Sequence, residues 1–552
     1  MRPPFFILTL LLAGFAFALV TFEPSDPRVL PARFVDSRVD YSNVLPSDYV
    51  GPDACIECHA THHQQWQSHP HSRMNQQPSQ TSVLSDFEGT ELHLPDATAH
   101  FTTEGDRYLM TITKAGETFR RYVVTRTVGS RYMQYFIGKQ LEGPESSGHP
   151  VYDEHMLPFA YWFELKRWFP RRYFDADGDE ELCSEGLPLV EAVNADPGVR
   201  PYTANCMNCH NTFPYVYRIF HKELVGFPKA IVSASINGIC QNMDAPSGSS
   251  GDAESFRALN AGLNPDRDLV TLGISCESCH FGAREHVQAQ RRMRYLPTSP
   301  FVKMERVDPS ATFADDGSTA ATINGICSQC HSGDGLRFPE GAVKTNSSEG
   351  YDLQKGFCAS KISCVNCHDP HAGSEHASGF QTLTKHVDAC LECHPKYADP
   401  VVARSHSGHA ASDGVSCLDC HMPRYNQGVN GLSRTHRICM PVEEQKLATS
   451  GANACNVCHV DKSLRWTLNE LKKGWNVSFE PGKDWALHNR LDDPVAETWL
   501  NGSDNHMRFV ATECLSRSPQ ATELVPLMLR SLNDPEPLNR AHGESAIRRV
   551  IE

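Results

Sequence analysis

Past its first twenty residues the chain has no long apolar run, so nothing there reads as a membrane-crossing helix. It has no basic surplus either: 51 Lys and Arg face 66 Asp and Glu, a formal net charge of -15. That excludes a general nucleic-acid binder, whose footprint is basic. Apolar residues make up only 40% of the 552 residues, little for a chain of three or four domains yet too much for a disordered one. No Cys precedes Cys55, which excludes a lipid-anchored N-terminal Cys. What the chain has in quantity is 21 Cys and 27 His. A reduced cytosolic enzyme seldom carries so many of both, and their spacing decides the class.

The sequence C-x-x-C-H occurs at Cys55/Cys58/His59, Cys206/Cys209/His210, Cys276/Cys279/His280 and Cys327/Cys330/His331. It recurs at Cys364/Cys367/His368, Cys390/Cys393/His394, Cys417/Cys420/His421 and Cys455/Cys458/His459. Composition alone gives about 0.04 copies, so chance does not account for eight. Two thiols three residues apart on one helical turn can form thioethers to the two vinyl groups of one haem. The next His then lies under the iron as the proximal ligand. Zinc is the competing reading, because C-x-x-C pairs build structural zinc sites. Zinc does not require a His after every second Cys, and neither does a disulfide framework. Eight covalently attached haems c, with iron on the eight motif His, are therefore expected.

Five Cys remain: Cys183, Cys240, Cys358, Cys439 and Cys514. A disulfide such as Cys183 with Cys240 fits an oxidising compartment, and the odd number leaves one thiol over. Cys514 falls on an apolar helical stripe and reads as core. Ile236 to Cys240 repeats the pentapeptide that opens the fourth motif, Ile323 to Cys327, but its continuation cannot hold haem, so it reads as coincidence or as a degenerate ninth site.

Distal iron ligands are sought among the other His. His71, His221, His286, His371, His386, His406, His409 and His436 stand in suggestive places near the motifs, each with a surface or core His as the bland alternative. In packed haem chains such a His often serves a neighbouring haem. His62, His63, His69, His376, His488, His506 and His542 have weaker context.

The chain divides into unlike parts. Residues 1–20 read as a signal peptide or N-terminal anchor: Arg2, a run from Phe5 to Val20, and Ala16-Phe17-Ala18 as a cleavage site. Either form puts the chemistry outside the cytoplasmic membrane, in the periplasm or on the membrane's outer face in a bacterium. Residues 30–80 carry the first motif. Residues 81–200 carry none and form a haem-free, β-rich and aromatic insert. Arg107–Thr113 and Glu117–Thr127 read there as strands joined by a hairpin turn at Lys114-Ala115-Gly116, ahead of an aromatic stretch from Tyr132 to Phe174. Those aromatics read as core that could also wall a haem. Residues 201–460 hold seven motifs. In residues 461–552, Leu464, Leu468, Leu471 and Trp475 define an amphipathic helix. Later stripes, at Val510 to Leu515 and Ala546 to Ile551, suggest one and a half HEAT-like repeats. So few repeats are expected to pack on the haem region or on a partner. The fold class expected is mainly α and irregular: a haem-packed chain with a small β-rich insert and a C-terminal α-helical repeat segment.

These residues resemble the multihaem cytochrome c family, especially its doubled-CxxCH type with C-terminal helical repeats. Cys55 to His59 with Trp66, Ser68 and His71 looks like that family's first-haem signature. Cys364 to His371 is similar to its doubled motif. Gly414 to Pro423 with His436, and Asn453 to Lys462, are similar to its final haem pair. The resemblance covers most of residues 50–552 and implies electron transfer without fixing a substrate. Two functions follow as expectations. One is a carrier whose mostly bis-His haems relay electrons. The other is an octahaem oxidoreductase of the hydroxylamine oxidoreductase, nitrite reductase or tetrathionate reductase kind, with one open haem. No C-x-x-C-K, the nitrite reductase mark, is present, and the haem at His210 is the candidate for an open iron. The expected partners are redox donors and acceptors, a membrane-bound quinone-linked protein among them, and a protein bound at the C-terminal helices. Nucleic acid is not expected.

Overall fold

The computed structural model describes residues 41–94, 96–144, 154–170, 202–203, 206–217, 230–231, 264–298, 303–304, 312–332, 336–372, 379–428 and 431–552. The signal or anchor segment, Cys183, Cys240, His221 and His376 lie outside them. Among the described residues no helix is long and apolar enough to cross a membrane.

The haem-free insert is larger than the small one expected. An antiparallel sheet of nine strands runs from β1 (Asn75–Gln76) through β2 (Thr90–His93), β3 (Thr98–Glu104), β4 (Arg107–Lys114) and β5 (Glu117–Val128) to β6 (Met133–Glu142). It continues in β7 (His155–Met156), β8 (Phe159–Trp162) and β9 (Arg167–Pro170), with the order β2-β3-β4-β5-β6-β8-β9. β1 pairs with β5 and β7 with β6. The β4–β5 hairpin turns at Ala115 (φ 51°) and Gly116 (φ 87°), two positive φ values that suit the right-handed twist of the flanking strands. Alternation along β3 sends Ala99 and Phe101 inward and leaves His100 and Thr102 only half-buried. Phe87, Phe101, Phe136, Phe159 and Trp168 fill one core, and Phe101 stacks on Trp168 with ring centroids 3.7 Å apart. Each such buried ring contributes about 1.5–3 kcal/mol. The aromatic stretch is thus mainly the packing of this sheet.

The sheet meets the motif region through Arg126 on β5. Its guanidinium binds Glu154 (3.1 Å) and Asp266 (2.6 Å) and lies 5.1 Å from the centre of the Tyr202 ring. The Tyr202 hydroxyl accepts from Asn75 (2.7 Å) and from Asn211 (2.8 Å), the residue after His210.

The C-terminal segment opens with helix Leu464–Trp475, capped by Ser463 and closed by Asn476 in the left-handed region (φ 54°). Leu464, Leu468 and Leu471 are its buried stripe, as the spacing predicts, whereas Trp475, the fourth stripe position, is exposed at the helix end. Helices Val495–Leu500, Asn505–Ser516, Ala521–Met528 and Pro537–Ile551 follow. Phe509, Val510, Cys514 and Ala546 pack with Tyr425, Leu432, Val457 and Val460 of the last motif region, so Cys514 is core. The opposite flank of these helices meets the sheet. Trp162 packs on Leu538, Ala541 and His542, while Arg549 pairs with Glu164 (2.9 Å) and Arg167 with Glu544 (2.6 Å). The helices therefore lie between the insert and the last motifs, covered on two sides by their own chain.

Candidate haem-iron sites

Each motif forms about one helical turn, and the residue before the first Cys shows why. Ser363 and Ser416 cap the turns Cys364–Cys367 and Cys417–His421, with Asn366 and Asp419 returning bonds of 2.8 Å to the capping N–H. In the last motif the Asn453 side chain does this, accepting from the Cys455 and Asn456 amides at 3.1 and 3.0 Å. In the motifs of Cys206, Cys327, Cys364, Cys390 and Cys455, the His N–H donates to the first Cys carbonyl at 2.9–3.1 Å. One turn thus puts two thiols on one side, with the imidazole following.

The spacing treats the two thiols of a motif as equivalent, whereas the structure gives the second ones unlike settings. Cys58, Cys393 and Cys458 are exposed, and Cys209, Cys279, Cys330, Cys367 and Cys420 are half-buried. The difference follows from what packs on each turn. Cys58 lies in the helix Ile56–Ser68, of which only His63 is buried. Cys393 and Cys330 close their turns through their own amides, which donate to the Cys390 and Cys327 carbonyls at 3.3 and 3.2 Å. Cys279 packs against the core of Val44, Tyr215, Phe281 and Ile326. Cys209 sits in the short helix Met207–His210, whose Met207 is buried. The thioether role of Cys58, Cys209, Cys279, Cys330 and Cys393 therefore rests on motif spacing.

Facing imidazoles test whether these residues fit haem iron. Two metal–nitrogen bonds of about 2 Å, plus two ring radii, separate the ring centres by about 6 Å. Six motif His have a second imidazole at that separation: His59 with His286 (6.2 Å), His280 with His371 (6.3 Å), His331 with His71 (6.4 Å), His368 with His436 (6.3 Å), His421 with His406 (6.1 Å) and His459 with His409 (6.2 Å). His62 is also 6.4 Å from His59, but its ring stacks on that of His371, with centroids 4.6 Å apart.

The ring nitrogens agree with this arrangement. Nδ1 of His286 lies 2.9 Å from the Arg291 carbonyl, that of His409 2.9 Å from the Ser407 carbonyl, and that of His421 2.8 Å from the Cys439 carbonyl. Nδ1 of His331 lies 3.2 Å from the Glu349 carboxylate. Each acceptor requires the proton on Nδ1 and so leaves the Nε2 lone pair for a metal. Burial holds His71 and His280 at about 3 and His210 at about 4, which keeps these imidazoles neutral, the form that binds iron. Burial pushes Glu349 up, but its bond to His331 outweighs this and holds it at about 2, while the same bond pushes His331 up to about 9.

The remaining sequence candidates fall as follows. His386 lies 5.6 Å from His368, closer than two iron–nitrogen bonds require, with Nε2 turned 3.1 Å from the Cys367 carbonyl. His210 and His394 have no second imidazole in the 6 Å range among the described residues. His221 lies outside them. His506 and His542 are buried in the C-terminal core against Phe509. Among the described residues no three of His, Cys, Asp and Glu converge as a zinc ion requires. Supporting groups that the sequence did not flag are Glu349, Asn324, which holds the Cys364 amide at 3.0 Å, and Glu277, which accepts from the Gly51 and Ala283 amides at 2.8 and 2.9 Å. Nothing local marks them, because each partner is distant in sequence or belongs to a loop.

A capped turn with paired thiols and an axial imidazole, repeated along the chain and faced by second imidazoles, belongs to multihaem c-type cytochromes. Covalently bound haem c and a haem-based redox function are its chemistry. Residues 393–474 match the cytochrome c552 family model. Among solved structures, the outer cell wall cytochrome OcwA is similar at 14% identity, covering 91% of this chain and all of that one, with a TM-score of 0.39. The octahaem sulfite reductase MccA of Wolinella succinogenes is similar at 12% identity, covering 94% of this chain and 85% of that one, with a TM-score of 0.29. No curated protein sequence matches the chain.

Proposed function

We propose that this chain is an exported octahaem c-type cytochrome that relays single electrons through mostly bis-His haems, between a redox donor and an acceptor outside the cytoplasmic membrane. Both Cys of every motif hold a haem in this reading, the exposed Cys58 and Cys393 included. The observation that carries the reading is the set of six facing imidazole pairs at 6.1–6.4 Å. Two strong ligands close an iron to substrates and let it change oxidation state with little movement. Export follows from the first twenty residues and from the site of haem c attachment. The donor in this reading is a membrane-bound quinone-linked protein. The C-terminal helices, read as HEAT-like repeats, offer a lasting protein contact on the surface that the insert and the motifs leave free.

One observation favours a second reading, an octahaem oxidoreductase with one open iron. His210 is half-buried, its enclosed Nδ1 has no partner, and no described imidazole faces it. Low-temperature EPR of the oxidised holoprotein, integrated against a chemical haem count, separates the two. Eight haems, all low-spin, support the carrier. A high-spin component of about one haem per chain overturns it in favour of the enzyme, with small nitrogen and sulfur oxyanions as first substrates. Fewer than eight haems overturns the octahaem count.

A further inference from the structure

The distal His serve motifs other than their own, and this crosswise ligation orders the haems in space. His286 follows the third motif and faces His59 of the first. His371 follows the fifth and faces His280 of the third. His71 follows the first and faces His331 of the fourth. Each such link places two motif segments against one iron.

Contacts between the motif turns narrow the order. Glu277, inside the third motif, accepts from the amides of Val50 (3.0 Å) and Gly51 (2.8 Å), just ahead of the first. Asn324, ahead of the fourth motif, donates to the Ile362 carbonyl (3.0 Å) and accepts from the Cys364 amide (3.0 Å) and from the Cys364 thiol (3.3 Å). The helix Gly379–Leu391, which carries Cys390, lies against the turn Cys417–His421 of the seventh motif. Three pairs of adjacent haems follow: first with third, fourth with fifth, sixth with seventh.

Two further contacts join the pairs, and a third adds the eighth motif. The Ile274 amide, beside the third motif, donates to the His71 carbonyl (2.8 Å), and His71 faces the fourth motif. His386, four residues before Cys390 of the sixth motif, holds the Cys367 carbonyl of the fifth (3.1 Å). His406 and His409 stand three residues apart and face the seventh and eighth motifs. The second motif lies to one side. Its strand Asn211–Thr212 pairs with Thr271–Leu272, and the Thr212 hydroxyl meets Ser278 of the third motif at 2.8 Å.

The geometry points to a single-file electron path through the haems in the order first, third, fourth, fifth, sixth, seventh and eighth, with the second haem on a side branch at the third. The path rests on the haem reading above. Each hop reduces one ferric iron and reoxidises the ferrous iron before it. A reduced redox protein supplies the electron at one end, and no atom is transferred. The branch sets the haem at His210 apart from through traffic, where it can receive electrons without interrupting the line.

The test is diffraction from crystals of the holoprotein at the iron absorption edge, which places every iron directly, beside a chemical haem count of the same sample. The expected result is eight irons with the neighbour order given, and the second iron contacting the line only at the third. An iron lying between the members of any named pair, or the second iron within the line, overturns the path. A haem count below eight strikes the octahaem reading separately, while the order among the irons present still decides the path.

Discussion

Replacing His436 by Ala separates two rings that compete for one iron. His436 and His386 both lie near His368, at 6.3 and 5.6 Å between ring centres. Only His436 stands at the separation that two iron–nitrogen bonds demand and lies nearly parallel to His368 at 28°. His386 spends Nε2 on the Cys367 carbonyl at 3.1 Å. The expected effect of His436→Ala is the conversion of one haem in eight from low-spin to high-spin, read as a loss of one-eighth of the integrated low-spin signal. Added imidazole should enter the space left by the side chain and restore that eighth. His386→Ala should leave every haem low-spin and cost only the lost hydrogen bond, about 1 kcal/mol of stability. EPR integration against a haem count, with and without imidazole, reads both variants. A high-spin haem in His386→Ala with none in His436→Ala would reverse the assignment. Unchanged spectra in both would refute the geometric reasoning for this iron.

Other consequences are equally direct. Glu349→Gln removes the carboxylate from His331 Nδ1 (3.2 Å), which makes that imidazole a weaker donor to ferric iron. The fourth haem's potential should rise in an EPR-monitored redox titration, and an unmoved potential would deny the contact its role. His542 lies against Trp162 and Phe509, and burial first, then Arg549, holds its pKa at about 3, below the ordinary 6.5. The unfolded chain takes up a proton between those values that the folded chain refuses, so this contribution is full above pH 6.5 and is lost as pH falls toward 3. His542→Leu should flatten the fall in denaturation midpoint between about pH 7 and 5; an unchanged slope refutes it. Phe509→Ala empties a site 1% exposed in the core shared with the last motif region, and should cost about 3–5 kcal/mol in urea unfolding. Stability within 1 kcal/mol of the parent would show that the helices do not anchor the last motifs.

What the sequence disclosed was local. The eight motifs are read from spacing because both thioethers and the proximal bond form within five residues. Spacing does not say how deep each thiol lies: Cys58 and Cys393 are exposed while Cys206 is buried, because the covering segments come from elsewhere in the chain. The β4–β5 hairpin is readable because Ala115 and Gly116 adopt their positive φ next to the strands they join. Helix Leu464–Trp475 carries its own stripe and both of its caps. The width of the sheet was not readable in this way. β7 has only two residues, and β8 and β9 have four each, too short for alternation to show. Their aromatics signal burial without saying against what. The C-terminal helices posed the same difficulty: their apolar stripes required a cover, but the cover is Trp162, Glu164 and Arg167, more than three hundred residues earlier.

The distal ligands show why such limits are physical. A proximal His is fixed by its own motif, whereas a distal His is fixed by which segments the fold closes onto one iron. His71 and His286 look alike in sequence, each a few residues beyond a motif, yet His71 faces the fourth motif and His286 the first. An iron bound by both members of such a pair is a crosslink between distant segments, and it closes a loop as a disulfide does. The long loop between His71 and His331 gains more from closure than the short one between His406 and His421, though only logarithmically with length. Losing the His71 ligand should therefore loosen the contact between the first and fourth motifs. Losing His406 should change its own haem and leave the rest of the fold in place. Hydrogen exchange on the two alanine variants would show the difference: protection lost around Ile274 in His71→Ala, and changes confined to residues near His421 in His406→Ala. Equal, local effects in both would mean that the haem pockets are held by the surrounding packing and that the iron bonds add little to the fold.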